Sequence, residues 1–211
     1  MTPHAALERG LEELGLALPA GTRDRLIAYV ALLAKWNRSY NLTAIREPHA
    51  MVSHHLLDSL AVLPHLPLPS AARLADVGSG AGVPGIPLAL ARPQWHVALV
   101  ESNQKKAAFL RQAAIELALA NVEVVEGRAE AWQPEPRFTL VISRAFAELA
   151  AFVAACRHLL APAGVLAAMK GKKPEAELKR LPPDVRCKSI VRLRTPFVDA
   201  ERHLVLCELP A

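Results

Sequence analysis

Cysteine is scarce in this 211-residue chain: only Cys156, Cys187 and Cys207 occur, an odd number without C-x-x-C spacing. That excludes a disulfide framework and a cysteine zinc site, and it fits a reducing compartment. No uninterrupted apolar run reaches the roughly 20 residues needed to span a bilayer. The most apolar stretch, 145–169, is broken by Glu148, Arg157, His158 and Pro162. No basic, apolar, small-residue leader opens the sequence, so the expected location is cytoplasmic, with no membrane partner. No internal repeat is visible. What is present suits a globular chain: 52% hydrophobic and 21% charged residues, in a length that allows one α/β domain with an appendage. A net charge of +5 permits a polyanionic partner but alone does not demand one.

The first seventy residues read as a helical cap. Leu7, Leu11, Leu14 and Leu18 give an amphipathic helix over 3–18, ended by Pro19-Ala20-Gly21. Thr22 is suited to cap a second helix with Leu26, Ile27, Val30, Leu33 and Ala34 on one face. Residues 35–43 are polar-aromatic and poor in helix formers. Glu47-Pro48 opens a third helix to Leu63, before a proline-spaced linker over 64–70. From Arg73 the pattern alternates, with strands over 74–77, 96–100, 122–125, 139–143 and 165–169 and helices over 86–91, 105–119 and 149–160. Such spacing predicts a parallel sheet with right-handed crossovers. Segments 189–194 and 203–208 leave no room for a helix between them and predict an antiparallel hairpin. The expected organisation is a cap over 1–70 and a Rossmann-like α/β domain over 71–211, working as a monomer.

Leu74–Val77 runs into Gly78-Ser79-Gly80-Ala81-Gly82-Val83-Pro84-Gly85 and then an Ala/Leu-rich segment: a strand, a tight turn and a helix N-terminus. Glycines let the backbone take positive φ and approach a ligand without a Cβ. The helix start adds unpaired N–H groups at its positive end, and Pro84 and Pro87 suit a first helical turn. Gly80–Gly85 spells G-x-G-x-x-G, the dinucleotide fingerprint. Asp76–Gly82 resembles the D-x-G-x-G-x-G loop of class I S-adenosylmethionine (SAM)-dependent methyltransferases. Two residues, Gly78 and Ser79, separate the strand from Gly80, and Asp76 stands two before the first glycine. Both features favour SAM over NAD. A tight βα turn of some other α/β protein is the plain alternative.

Glu101 ends the second strand, where a carboxylate can accept both ribose hydroxyl hydrogens of a nucleoside, SAM or NAD alike. After the third strand, the Ala129 and Glu130 amides are suited to read an adenine edge, while Arg128 and Glu130 equally suit an ordinary surface pair. Ser143-Arg144-Ala145-Phe146 ends the fourth strand, beside the methyl donor in this sheet order. It holds neither the Asn/Asp-Pro-Pro-aromatic of exocyclic-amine enzymes nor a cysteine nucleophile. Arg144 is cationic and cannot be a base. That is coherent for an acceptor owning a free lone pair, such as N7 of guanine, with catalysis left to positioning and electrostatics. Between Lys170 and Arg194, nine basic residues face three acids. Such a surplus suits phosphate binding, although a solvated lysine face has the same composition. His54, His55 and Asp58 lack a further ligand cluster, so no metal is expected. Trp36, Tyr40 and Asn41 suit either stacking on unpaired bases or the core.

Over nearly its whole length the sequence resembles the small-subunit (16S) ribosomal RNA guanine-N7 methyltransferases, the RsmG or GidB family. The marks are Trp36-Asn37 with Tyr40-Asn41-Leu42-Thr43, His54-His55-Leu56-Leu57-Asp58-Ser59, Asp76 through Leu88, Ile142-Ser143-Arg144-Ala145-Phe146, Lys170-Gly171 and Glu201-Arg202-His203-Leu204. The resemblance implies a class I methyltransferase sheet with a C-terminal hairpin and SAM as cofactor. It implies that Gly78, Gly80, Gly82, Val83, the Ala129 and Glu130 amides and Arg144 contact SAM, and that Glu101 holds the ribose. Arg128, Arg144, Lys170 and Arg202 match basic positions used around the family's active site. The implied partner is 16S ribosomal RNA or the small ribosomal subunit, methylated on one guanine near the decoding site, a modification whose loss accompanies low-level streptomycin resistance. Glu101 stands where some relatives carry aspartate, and Cys187 and Cys207 match no family role. An NAD-dependent oxidoreductase and a catalytically silent RNA-binding factor on the same fold are the rival readings. Arg144→Ala is expected to impair turnover with the fold intact.

Overall fold

The computed structural model describes residues 1–210. Helix α1 (Pro3–Leu14) is capped by Thr2, whose hydroxyl accepts from the Ala5 N–H. It stops at Gly15, which takes a left-handed φ of 63°. The helix therefore ends short of Leu18, and Leu16 and Leu18 reach the core from a loop. In α2 (Thr22–Tyr40) the N-cap is Gly21, not Thr22. The Thr22 hydroxyl instead donates to the Leu90 carbonyl at 3.4 Å. The helix continues through residues 35–40, against the sequence expectation, because Trp36 packs on Phe109 at 5.6 Å and Asn37 is buried. Tertiary contact overrides weak propensity there. A third helix, α3, spans 48–60 as an α turn (Pro48–Met51), a π-helical turn (Val52–Leu57) and a last α turn (Asp58–Leu60).

The sheet is built from β1 (Arg73–Val77), β2 (His96–Glu101), β3 (Val122–Glu126), β4 (Phe138–Ser143), β5 (Leu160–Lys170), β6 (Arg186–Leu193) and β7 (Arg202–Glu208). Between them lie α4 (Gly85–Ala91), α5 (Gln104–Glu116), α6 (Leu149–Cys156) and α7 (Glu175–Leu178). The strand order is β3-β2-β1-β4-β5-β7-β6. The first five pair in parallel, and β7 runs antiparallel between β5 and β6. The expected parallel sheet and terminal hairpin are both present. The expected helix over 149–160 is shorter, since β5 already begins at Leu160, and α7 gave no recognisable signal in the sequence.

Alternating strand residues feed two cores. On one face Leu74, Leu99, Ile142 and Leu204 pack with Leu11, Leu33 and Leu57, so segments before and after residue 70 share one core. The opposite face joins Ala75, Val141, Leu166 and Val205 to Phe152 of α6. The cap sits close: a Cβ on Gly10 of α1 would lie 2.2 Å from Leu57, inside the π turn. Among the described residues no helix is long and apolar enough to cross a membrane. Strand order reverses between β1 and β4, and ligands of open α/β sheets bind beyond the carboxyl ends at such a point.

Candidate active site

The glycine turn after β1 is held from several sides. Gly78 and Ser79 N–H groups donate to the Val100 carbonyl at 2.9 and 3.2 Å, and the Ser79 hydroxyl donates to the Asp76 carbonyl. Tyr29, wholly buried in α2, donates to the Ala81 carbonyl at 2.6 Å. Glu101 accepts from Gly80 N–H through one oxygen and from Asn103 N–H through the other, each at 2.8 Å. Gly78 and Gly80 both take positive φ, 73° and 58°. Above them is a cavity of about 190 Å³ lined by Gly78, Gly80, Val83, Thr43, His55 and Arg144, among others. A Cβ on Gly78 would stand 2.7 Å from Ala145 Cβ, so only bare backbone keeps this cradle open. The residues fit a ligand laid directly on the peptide groups.

The cap supplies the opposite wall. Asn37 Oδ1 accepts from Thr43 N–H and its Nδ2 donates to the Ile45 carbonyl, which pins the segment after α2. His55 Nδ1 lies 3.1 Å from the His54 carbonyl and must donate to it, so Nε2 accepts from the Thr43 hydroxyl at 3.0 Å. Burial, then the Arg144 charge, pushes the His55 pKa down to about 4, and the imidazole is neutral near pH 7.

Arg144 also borders a second cavity, of about 250 Å³, with His54, Asp58, Met169, Lys170 and Arg202 on its walls. Its Nη1 donates to the His54 carbonyl and to Asp58 Oδ2, both at 3.0 Å. Arg202 Nε donates to the other Asp58 oxygen at 2.9 Å. Two hollows thus meet at one guanidinium, one over the glycine turn and one beneath α3.

Comparison with known proteins matches residues 22–205 to the family model described as rRNA small subunit methyltransferase G. The chain belongs to this family. A ribosomal RNA small subunit methyltransferase G of Laribacter hongkongensis is 54% identical over 199 residues, covering 94% of this chain and 95% of that protein. One from Burkholderia thailandensis is 52% identical over 213 residues, covering 99% and 92%. Among solved structures, the glycopeptide N-methyltransferase MtfA complexed with SAM superposes with a TM-score of 0.61. It is 13% identical and covers 73% of this chain and 87% of that one, a likeness of fold.

The structure brings Gly78, Gly80, Val83 and Arg144 of the expected family site round one cavity. Gly82 serves another purpose: its added Cβ would lie 2.5 Å from Ile86, so it lets α4 pack rather than facing the hollow. Glu101 touches the turn at Gly80, and its carbonyl accepts from Gly127 N–H at 3.0 Å, which ties in the loop with Arg128, Ala129 and Glu130. That loop borders neither cavity; Ala129 is buried, while Arg128 and Glu130 are exposed. Lys170, expected in RNA binding, lines the second cavity but is already engaged by the protein. Its side chain is 10% exposed, 2.8 Å from Glu177, and donates to the Phe146 and Ala147 carbonyls. The ammonium is spent on holding the loop that carries Arg144. Sequence reasoning missed Thr43 as a wall and Asn37 as its brace, and read Asp58 as part of a helix surface packing on the cradle or touching RNA rather than as the partner of two arginines; among the described residues no metal-binding cluster occurs.

Asp76 accepts from Gly85 N–H at 2.9 Å through Oδ2, at the start of α4, whereas Oδ1 is buried without a partner. Burial raises its pKa from 3.8 to about 7 against the smaller opposing effect of that hydrogen bond. The folded protein therefore binds a proton more readily than the unfolded chain between about pH 4 and pH 7, and this group's contribution to stability falls as pH rises through that window. His55 acts oppositely between about pH 4 and 6.5, so the wild type alone hides the effect. Urea unfolding of Asp76→Asn against wild type isolates it: the difference should move in favour of the variant by up to about 4 kcal/mol from pH 4 to pH 7.

Proposed function

We propose that this protein transfers a methyl group from SAM to N7 of a guanine in 16S ribosomal RNA near the decoding site. The observation carrying the reading is Arg144 as the shared wall of two cavities whose described lining holds a single carboxylate, Asp58, already occupied. When bound, SAM supplies an electrophilic methyl group on a sulfonium. The peptide groups of Gly78, Gly80 and Val83 hold it along the turn, Glu101 takes the ribose, and the Ala129 and Glu130 amides take the adenine edge. Arg144 positions donor and acceptor together. An acceptor nitrogen with its own lone pair needs no proton removed, so alignment and a fixed charge pattern suffice. We infer a monomer acting in the cytoplasm, where ribosomes are.

The charged segment from Lys170 to Arg194 divides in two. Lys170, Lys173, Arg180, Arg186 and Lys188 each pair with a carboxylate, of Glu177, Glu175, Glu148 or Glu208. Among the described residues, Lys172, Lys179, Arg192 and Arg194 form no ion pair, and all four are exposed. Lys172 follows Gly171 of the acceptor cavity, and Arg192 and Arg194 flank Leu193 of the same wall. Arg192 and Arg194 line a neighbouring groove with Pro196 and Glu201, and we take these unpaired cations as the ones left to meet phosphates. Replacing Arg192 and Arg194 by glutamine should weaken RNA binding evenly across sequences. Titrations between 50 and 200 mM salt should show the slope of log K against log salt flattened by about 1.5.

Labelled SAM with small subunits from cells lacking this modification, followed by cleavage specific for N7-methylguanine, tests the function. A single new cleavage in the small-subunit RNA is expected. SAM binding without transfer would favour a silent binding factor, and no SAM binding would restore the NAD reading.

A further inference from the structure

We propose that Asp58 is a positioning residue for methyl transfer: it fixes the Arg144 and Arg202 guanidiniums at the acceptor cavity and cancels one of their two charges. The inference rests on the guanine reading above and adds a role that the cavity alone does not reveal.

Asp58 is 1% exposed and stands where the π turn of α3 gives way to its last α turn. π turns are concentrated at functional sites. Its Oδ2 takes Arg144 from the end of β4, and its Oδ1 takes Arg202 from the start of β7 and the buried Thr195 hydroxyl at 3.3 Å. One carboxylate thus joins three separated segments. Arg144 spends Nη1 on Asp58 and His54, and Arg202 spends Nε on Asp58 and Nη1 on the Glu201 carbonyl. Among the described residues the Nη2 group of each finds no acceptor, and both side chains line the acceptor cavity. Those are donors held ready for an acceptor such as guanine O6, beside N7.

Donors are useful there, but their charge is not. As the N7 lone pair forms the new N–C bond, the C–S bond breaks with its electrons going to sulfur. The positive charge passes from the sulfonium to the guanine ring, and no proton moves. Two uncompensated guanidiniums beside that ring would oppose the charge arriving on it. With Asp58 between them the group carries a net charge of one rather than two. In a partly buried site a unit charge several ångströms away changes a rate by about 10²-fold.

Asp58→Asn, Arg144→Gln and the double variant test this, by single-turnover transfer to undermethylated small subunits and by calorimetric binding of S-adenosylhomocysteine. Asp58→Asn should slow transfer by about 10²-fold while the Kd for S-adenosylhomocysteine stays within about threefold of wild type. In the Arg144→Gln background the same change should cost several-fold less than in the wild type, because the part that holds Arg144 in place is already lost while the charge beside Arg202 still counts. Fully multiplicative effects, or parallel losses of affinity and rate, would assign Asp58 to folding alone and overturn the proposal. Should Asp58→Asn fail to fold, Thr195→Val, which leaves every charge in place, is the second probe. It should slow transfer by about threefold with melting temperature and affinity unchanged, and an unaltered rate would count against the role. Absence of transfer by the wild type overturns the guanine reading and this one together; a fast Asp58→Asn overturns this one alone.

Discussion

Gly78→Val should remove measurable SAM binding, a loss of at least about 100-fold in affinity by calorimetry. Gly78 holds a φ of 73°, and its added Cβ would stand 2.7 Å from Ala145 Cβ. A β-branched residue is strained at that φ, and the collision drives the turn away from the loop that carries Arg144. The change fills the space over the glycine turn that is proposed to hold the ligand. Because Gly78 sits on the cavity wall and not in the core, the melting temperature should fall far less than the affinity. Gly80→Ala is the informative companion: its φ of 58° adds strain, yet its Cβ meets nothing nearer than the Gly78 carbonyl oxygen at 3.8 Å. It should bind SAM weakly rather than not at all. Equal affinity in Gly78→Val and wild type would dismiss the cradle.

The fold was legible because its signals are periodic and local. Apolar strands, helix-length gaps and the two tail segments too close for a crossover dictate five parallel strands and a hairpin. The glycine turn was legible because positive φ and close approach leave few alternatives to glycine. Helix ends in the cap were less so, since α2 runs on to Tyr40 through contacts of Trp36 and Asn37 that no local pattern announces. The site divides in the same way. Gly78 and Arg144 lie on strand ends whose position follows from topology. Asp58 with Arg202, 144 residues apart, meets only in three dimensions. Lys170 shows the converse: charge counting along the sequence took it as free, but Glu177 of α7 and two carbonyls use it up. Composition reveals how many cations a segment has, and only packing reveals which are left over for a partner.

Arg144→Ala should slow methyl transfer by about 10² to 10³-fold, the range for losing one preorganised charged donor at a reacting centre. S-adenosylhomocysteine affinity should fall by no more than about tenfold, because the glycine turn and Glu101 are braced independently of the guanidinium. The protein should remain folded. Asp58 loses one partner, but Arg202 and Thr195 still satisfy its other oxygen, so the buried carboxylate is not stranded. Arg144 is itself 31% exposed, and its removal should cost about 1–3 kcal/mol, visible as a lower melting temperature and not as unfolding. Arg144→Lys should recover little, since an ammonium cannot span the His54 carbonyl and Asp58 while keeping a planar donor for the cavity. His55 supplies a built-in check. Arg144 helps hold its pKa down, so loss of the guanidinium should raise the His55 titration above about 4 in an NMR pH series. A slowed enzyme with that shift and near-normal cofactor affinity places the defect at the junction of the two cavities. A slowed enzyme without the shift, having lost affinity and stability together, would place it in the fold.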